Sequence, residues 1–360
     1  MESSAPAVPS KPVRKVKVSV EAHDKDIYHY VEGLPKYQEL SSQVKRIVAE
    51  STYWERFGYG LMEMGCAIPL HFVGLYLCSF ESMLPFLVGF FILGSCHCVI
   101  TSRAGHLAAH NALFESRRAN EIARWFVVEV IGWFSDRAAV QIHIGDHHPY
   151  TNIIGLGDSA TWKAPLIPRY IYMFFAPILL PVLAPLVSLK ELKGQVKETA
   201  SFLFWMTVGF VANVALVMRI SGYQTPLNAA LFLFAFRAVT ALHYVHINIF
   251  QHIGLPMYTL KDRPAKLYQM STGVLNINRN VYLDWIMGHT LVYCHIEHHL
   301  FPNLSDCMVL KIRPIVKQFM LSNGLPYHEK PYMERLNYFV DKYEELMVKA
   351  PAFTHYVGLQ

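Results

Sequence analysis

Residues 64–100 read MGCAIPLHFVGLYLCSFESMLPFLVGFFILGSCHCVI. Two apolar runs, Met64 to Phe80 and Leu84 to Ile100, are separated only by Glu81, Ser82 and Met83. Each run is close to the lower limit of about 17 residues at which a helix crosses a bilayer. A connection that short leaves room for nothing but a hairpin. The stretch therefore predicts two antiparallel transmembrane helices, the second returning toward Arg103 and a polar region.

Three more apolar runs follow, Tyr170 to Leu189, Phe202 to Met218 and Pro226 to Phe250, after a polar and basic block between Arg117 and Lys163. Histidine clusters lie on both sides of these three runs, and a single site requires them on one face of the membrane. One run should therefore not cross. Lys190, Lys193 and Lys197 follow the first run, whereas the turn from Ser221 to Thr225 holds no Lys or Arg. Basic loops favour the cytosol. The first run also carries Pro177, Pro181 and Pro185, which suit an interfacial or re-entrant piece. The expected fold is an all-α integral membrane protein: four transmembrane helices in two hairpins, with a cytosolic helical cap carrying a histidine-ligated dimetal site. Both termini are then cytosolic. The Asn303-Leu304-Ser305 sequon should face the cytosol and stay unmodified.

Composition agrees. Of 360 residues 53% are hydrophobic and 16% charged, against about 25% charged in soluble domains. A net charge of +5 fits basic loops at an anionic leaflet and gives no concentrated stripe for nucleic acid. Six cysteines make no disulfide framework, and Cys96-His97-Cys98 sits in an apolar run, where packing thiols are expected. The N-terminus shows no apolar segment of a cleaved signal. The domain reading is a disordered tail at 1–24, a cytosolic segment at 25–63, the membrane domain at 64–307 and a cytosolic C-terminal helical segment at 308–360. In that last part an apolar and charged alternation predicts an amphipathic helix over 308–348.

Eight of the 18 histidines fall in three clusters: HLAAH (106–110), HIGDHH (143–148) and HIEHH (295–299). Residues three or four apart share a helix face. His106 with His110, His143 with His147, and His295 with His298 and His299 are thus expected to point together. His148 adds an eighth imidazole. Eight exceed the four that saturate one tetrahedral ion, so two metals are the simplest count. Imidazole suits zinc, copper, iron and nickel, so the ligand type alone does not decide. HExxH is absent, and so is the Glu-x-x-His of soluble di-iron carboxylate bundles. What remains is an all-histidine dimetal centre at a membrane surface, where iron would make it useful with O2. Asp146 and Glu297 could orient imidazoles or simply be solvated. His243 and His289 read as packing residues before outer partners of the centre.

The three boxes resemble the histidine signature of the membrane-bound fatty acid desaturases. The likeness extends to HHPYTN (147–152) with Asp158 downstream, and to EHHLFP (297–302). It implies two iron ions (Fe2+), O2 as co-substrate, and a cis double bond inserted into a fatty acyl substrate, as acyl-CoA or acyl-lipid. It also implies the endoplasmic reticulum membrane and a ninth ligand near the last span, best placed at His252, with His246 second. The third box begins with His295, where desaturases acting on the carboxyl side of an existing double bond tend to carry Gln. No His-Pro-Gly-Gly motif of a fused cytochrome b5 occurs, so a separate cytochrome b5-type donor and its reductase are expected partners. Phe90, Gly94, Phe234 and Tyr244 are candidates for an acyl tunnel, though lipid-facing or core packing is the commoner role of such residues. Arg237, an ionisable residue in the last span, is expected to face the protein interior or an acyl head group. Three other readings stay open: a hydroxylase of the same superfamily, a membrane metal transporter, and a catalytically idle relative acting as a regulator. GLGDSA (155–160) fits a dinucleotide fingerprint but lacks the strand before it.

Overall fold

The computed structural model describes residues 18–23, 26–31, 35–154, 156 and 167–348. The hairpin expected from residues 64–100 forms, with longer arms. Helix α2 (Trp54–Leu77) and helix α3 (Met83–Ala109) follow α1 (Tyr37–Glu50). Gly74 and Gly89 face each other across the hairpin, and a Cβ on Gly89 would meet the Gly74 carbonyl at 2.7 Å. Small residues at such a crossing let helix backbones approach closely in a bilayer. Helix α3 continues past Ile100 through a π-helical turn at Val99–Arg103 and delivers the first histidine box on its last turn.

A short helix α4 (Arg117–Arg124), capped by Ser116, runs on as a π-helical segment to Ile131. Next comes α5 (Asp136–Val140), followed by a further π-helical segment, Gln141–His147. Helices α6 (Ile171–Glu191), α7 (Val196–Ser221) and α8 (Pro226–Phe250) correspond to the three later apolar runs. The α7–α8 turn has clear local causes. Gly222 takes the left-handed conformation after α7 (φ 78°), Thr225 Oγ1 accepts the Asn228 amide at 3.2 Å, and Pro226 opens α8.

Among the described residues five helices are long and apolar enough to cross a membrane, α6 qualifying with α2, α3, α7 and α8. Its backbone is irregular, as its prolines require. It starts with a π-helical turn, passes through a 3-10 turn at Ala176–Leu179 and holds Pro185 inside the helix.

Beyond α8 the chain builds a cap over the end of the bundle that carries the boxes. It consists of α9 (Lys266–Gly273), α10 (Val281–Met287), α11 (His295–Leu300), α12 (Asp306–Ser322) and α13 (Tyr332–Val348). The C-terminal segment thus holds two helices, where one amphipathic helix was expected. Gly324 (φ 71°) ends the first, and Pro326 and Pro331 flank the strand that follows. Residues Val309, Ile312, Val316 and Met320 bury one stripe of α12, each contributing on the order of 1.5–3 kcal/mol. Helix α1 packs against this cap.

The fold is not wholly helical. Strands β1 (Val18–His23) and β2 (Asp26–Val31) pair antiparallel, so the first strand falls inside the stretch assigned to an N-terminal tail. Strands β3 (Leu275–Ile277) and β4 (His328–Lys330) pair in parallel, with Asn276 opposite Glu329. Residues 1–17 and 349–360 lie outside the described part.

Candidate metal centre

All eight box histidines, with His252, converge at the junction of bundle and cap, in two groups. His106, His110, His143, His148 and His298 form one; His147, His252, His295 and His299 form the other. Within each group the facing nitrogens lie within 4.8 Å of one another. Neither group contains a carboxylate or a thiolate, and Cys96 and Cys98 are buried thiols outside both.

The expectation that each box points in one direction holds for the first box and fails for the other two. In the second box the backbone is π-helical, and the His148 amide donates to the His143 carbonyl five residues back at 3.1 Å. That wider turn brings His148 under His143, with Nε2 atoms 3.3 Å apart, and sends His147 to the other group. In the third box the α-helical step of about 100° per residue separates neighbours. His295 and His299 share a face, Nε2 to Nε2 at 3.2 Å, while His298 turns to the first group and lies 3.1 Å from His148 Nε2. The adjacent pairs His147-His148 and His298-His299 each divide between the groups. Two centres so shared must be neighbours: the His148 and His299 rings stack across them at 4.4 Å.

The donor set fits two metal ions. Nitrogens about 2.0–2.1 Å from one ion would lie roughly 3.0–3.4 Å from each other. The closest Nε2 pairs span 2.9 to 3.3 Å, including His252 to His295 at 2.9 Å. His106 Nε2 and His110 Nε2 are buried with no hydrogen-bond partner. Burial, reinforced by neighbouring imidazoles, holds His143, His148, His252, His298 and His299 well below the usual histidine range. They stand neutral, as metal ligation requires.

Tautomers are set from outside. His295 Nδ1–H donates to the Thr290 carbonyl at 2.9 Å, and His252 Nδ1–H to the Gly273 carbonyl at 3.4 Å. The Thr151 hydroxyl gives its proton to the His147 carbonyl at 2.8 Å, so its lone pair receives His299 Nδ1–H at 3.1 Å. Thr290 repeats the device: its hydroxyl donates to Asp306 Oδ1 at 2.9 Å and accepts from His106 Nδ1 at 3.4 Å. In each case the Nε2 lone pair is left facing inward. Thr290 thus steadies one imidazole of each group. Thr151→Val should lower metal affinity by about ten- to hundredfold with little change in fold; titrating metal into the stripped variant checks this.

Behind Thr290 lies a buried ion pair. Arg103 Nε meets Asp306 Oδ2 at 2.7 Å, with side chains 0% and 1% exposed. Arg103 also reaches the Trp285 carbonyl and Glu63 at 2.9 Å. Burial opposes ionisation of Asp306, but the Arg103 guanidinium prevails and holds its carboxyl below the usual range. These residues were not visible as site residues in the sequence. Thr151 was quoted inside the second box's likeness, but the His299 contact that gives it a role needs the fold.

The carboxylates singled out from the sequence do otherwise. Asp146 accepts from Gln141 Nε2 at 3.0 Å. Glu297 accepts from Tyr327 and Asn276 at 2.5 and 3.1 Å, and burial pushes its carboxyl up to about 7. His246 joins neither group; it is bound by the Met173 carbonyl and Tyr332. His243 packs near Tyr282 and Tyr332, and His289 near Tyr293. Phe90 and Phe234 pack in the bundle core, and Gly94 abuts the Phe236 carbonyl. A cavity of about 290 Å³ reaches the imidazoles, lined by His110, His148, His299, Arg263, Lys266 and Asn303. Asp158 and most of GLGDSA lie outside the described residues.

A family model described as fatty acid desaturase matches residues 81–331. The chain belongs to the fatty acid desaturase family. It is 42% identical over 324 residues to fatty acid desaturase 6 of Mus musculus, covering 90% of this chain and 95% of that protein. The Homo sapiens protein of that name is 42% identical over 323 residues, covering 89% and 91%. Fatty acid desaturase 3 of Bos taurus is more distant, 26% identical over 254 residues. The likeness to fatty acid desaturase 6 extends over nearly the whole chain, as expected for a member of that branch. As a desaturase the chain is an oxidoreductase acting on acyl lipids, with apolar helices suited to a membrane and a histidine site suited to metal.

Proposed function

We propose that this desaturase holds two iron ions on nine histidines and uses O2 to insert a cis double bond into a fatty acyl chain. The observation that carries this is the division of the second and third boxes between two adjoining imidazole groups. A transport relay has no need of two neighbouring sites sharing consecutive residues. Iron bound there would supply the oxidation: O2, two electrons and two protons take one hydrogen from each of two adjacent methylenes and leave as two waters. His106, His110, His143, His148 and His298 would hold one ion, and His147, His252, His295 and His299 the other. Thr151 and Thr290 fix the ring tautomers, and the cap's packed side chains limit water at the groups.

Electrons come, on this reading, from a separate cytochrome b5-type donor and its reductase. The membrane is that of the endoplasmic reticulum, with both termini and the cap cytosolic. Since the boxes meet at one site, an even number of the helices α6, α7 and α8 must cross. Irregular, proline-rich α6 is the one that does not, giving four spans. Expression in desaturase-deficient yeast, with mass spectrometry of the acyl chains, tests the reaction. A new alkene is expected; a hydroxy-acyl product instead would make the chain a hydroxylase of the same superfamily.

A further inference from the structure

Arg237 lies inside the bundle, away from the imidazole groups, and two histidines, His71 and His97, pack on the neighbouring Phe236. Arg237 lies midway along α8 and is 6% exposed. Its guanidinium stacks on the Trp133 ring at 3.5 Å, and one N–H donates to the Gly132 carbonyl at 2.6 Å. Next to it, Phe236 receives His71 of α2 and His97 of α3 edge-on, at 6.1 and 6.2 Å. Among the described residues, the contacts of Arg237 are the Gly132 carbonyl and the Trp133 ring, and it forms no ion pair.

Donors outnumber acceptors here. Arg237 Nε and Trp133 Nε1 are buried N–H groups without a partner, and so is the ring nitrogen His71 Nδ1. An anchor for the Gly132–Trp133 turn uses one N–H and the ring face, and leaves Arg237 Nε and Trp133 Nε1 without an acceptor. Buried N–H groups of a cation in the middle of a spanning helix are costly unless acceptors meet them. The neighbourhood is otherwise apolar and aromatic, lined by Phe232, Phe236 and Phe234. The matching ligand is an anion on an aliphatic chain.

We propose that Arg237, together with the indole N–H of Trp133, binds the carboxylate of a long-chain acid inside the membrane bundle. His97 precedes His106 by nine residues on α3, about 14 Å along the helix. The first histidine box is thus about two and a half turns of α3 away, a distance within the length of a long acyl chain. The carboxylate is either the head of a free fatty acid or the ω-carboxyl of a chain activated at its other end.

Equilibrium binding to the full-length protein in nanodiscs tests this without turnover, so the result stands whatever the desaturase reaction proves to be. Hexadecanoic acid should bind at least about tenfold more tightly than its methyl ester. Arg237→Met should abolish that preference and Arg237→Lys should keep part of it. Trp133→Phe preserves the stacked ring and removes one free donor, so it should weaken the preference even if Arg237→Met fails to fold. A second arm compares ω-carboxyl hexadecanoyl-CoA with hexadecanoyl-CoA. An advantage for the free acid alone identifies the head carboxylate, and one for the ω-carboxyl thioester identifies the chain end. Equal binding in both comparisons, or a preference untouched by Arg237→Met, overturns the proposal.

Discussion

His299→Ala is expected to abolish desaturation, with a loss well beyond the ten- to hundredfold that an outer partner costs. His299 is 2% exposed, lies 3.2 Å from His295 Nε2, and stacks on His148 of the other group. Removing it leaves three imidazoles in a group of four and a void beside the neighbouring group. In desaturase-deficient yeast, the variant's fatty-acid profile should match that of the empty host. The contrast is His246→Ala, which removes a buried histidine of α8 that belongs to neither group. Its metal content should be unchanged. A wild-type profile from His299→Ala would remove that residue from the centre.

The second large effect is on stability. Asp306→Ala strands a fully buried Arg103, which retains only Glu63, itself 44% exposed, as an acidic partner. Breaking a buried pair on one side costs about 3–5 kcal/mol. Thr290 also loses the acceptor that orients its hydroxyl toward His106. Thermal unfolding in detergent should shift sharply downward, and metal binding should weaken with it. Replacing both partners with apolar residues, Arg103→Met with Asp306→Leu, should recover much of the stability but not the metal affinity. Equal recovery of both would mean that the pair acts only as a structural tie.

How much of this could be read beforehand follows from periodicity. The hairpin at residues 64–100 and the α7–α8 hairpin were legible because apolar runs bounded by short turns have one physical solution in a bilayer. The nine histidines were legible by spacing and resemblance. Their division was not, because it depends on a π-helical second box that no residue pattern announces. The α6 run met a limit of another kind: length and apolarity count it as a fifth candidate span, while its prolines argue against a regular crossing. The roles of Thr151, Thr290 and Asp306 were not legible because threonines and an aspartate acquire them only through contacts as distant in sequence as Thr151 to His299.

The most direct test of the central claim is the metal content of the full chain, purified under anaerobic conditions and measured together with its X-ray absorption. Two irons per chain, with nitrogen ligands and a short iron–iron distance, are predicted. A chain that holds one ion, or exchangeable zinc in place of iron, would contradict it.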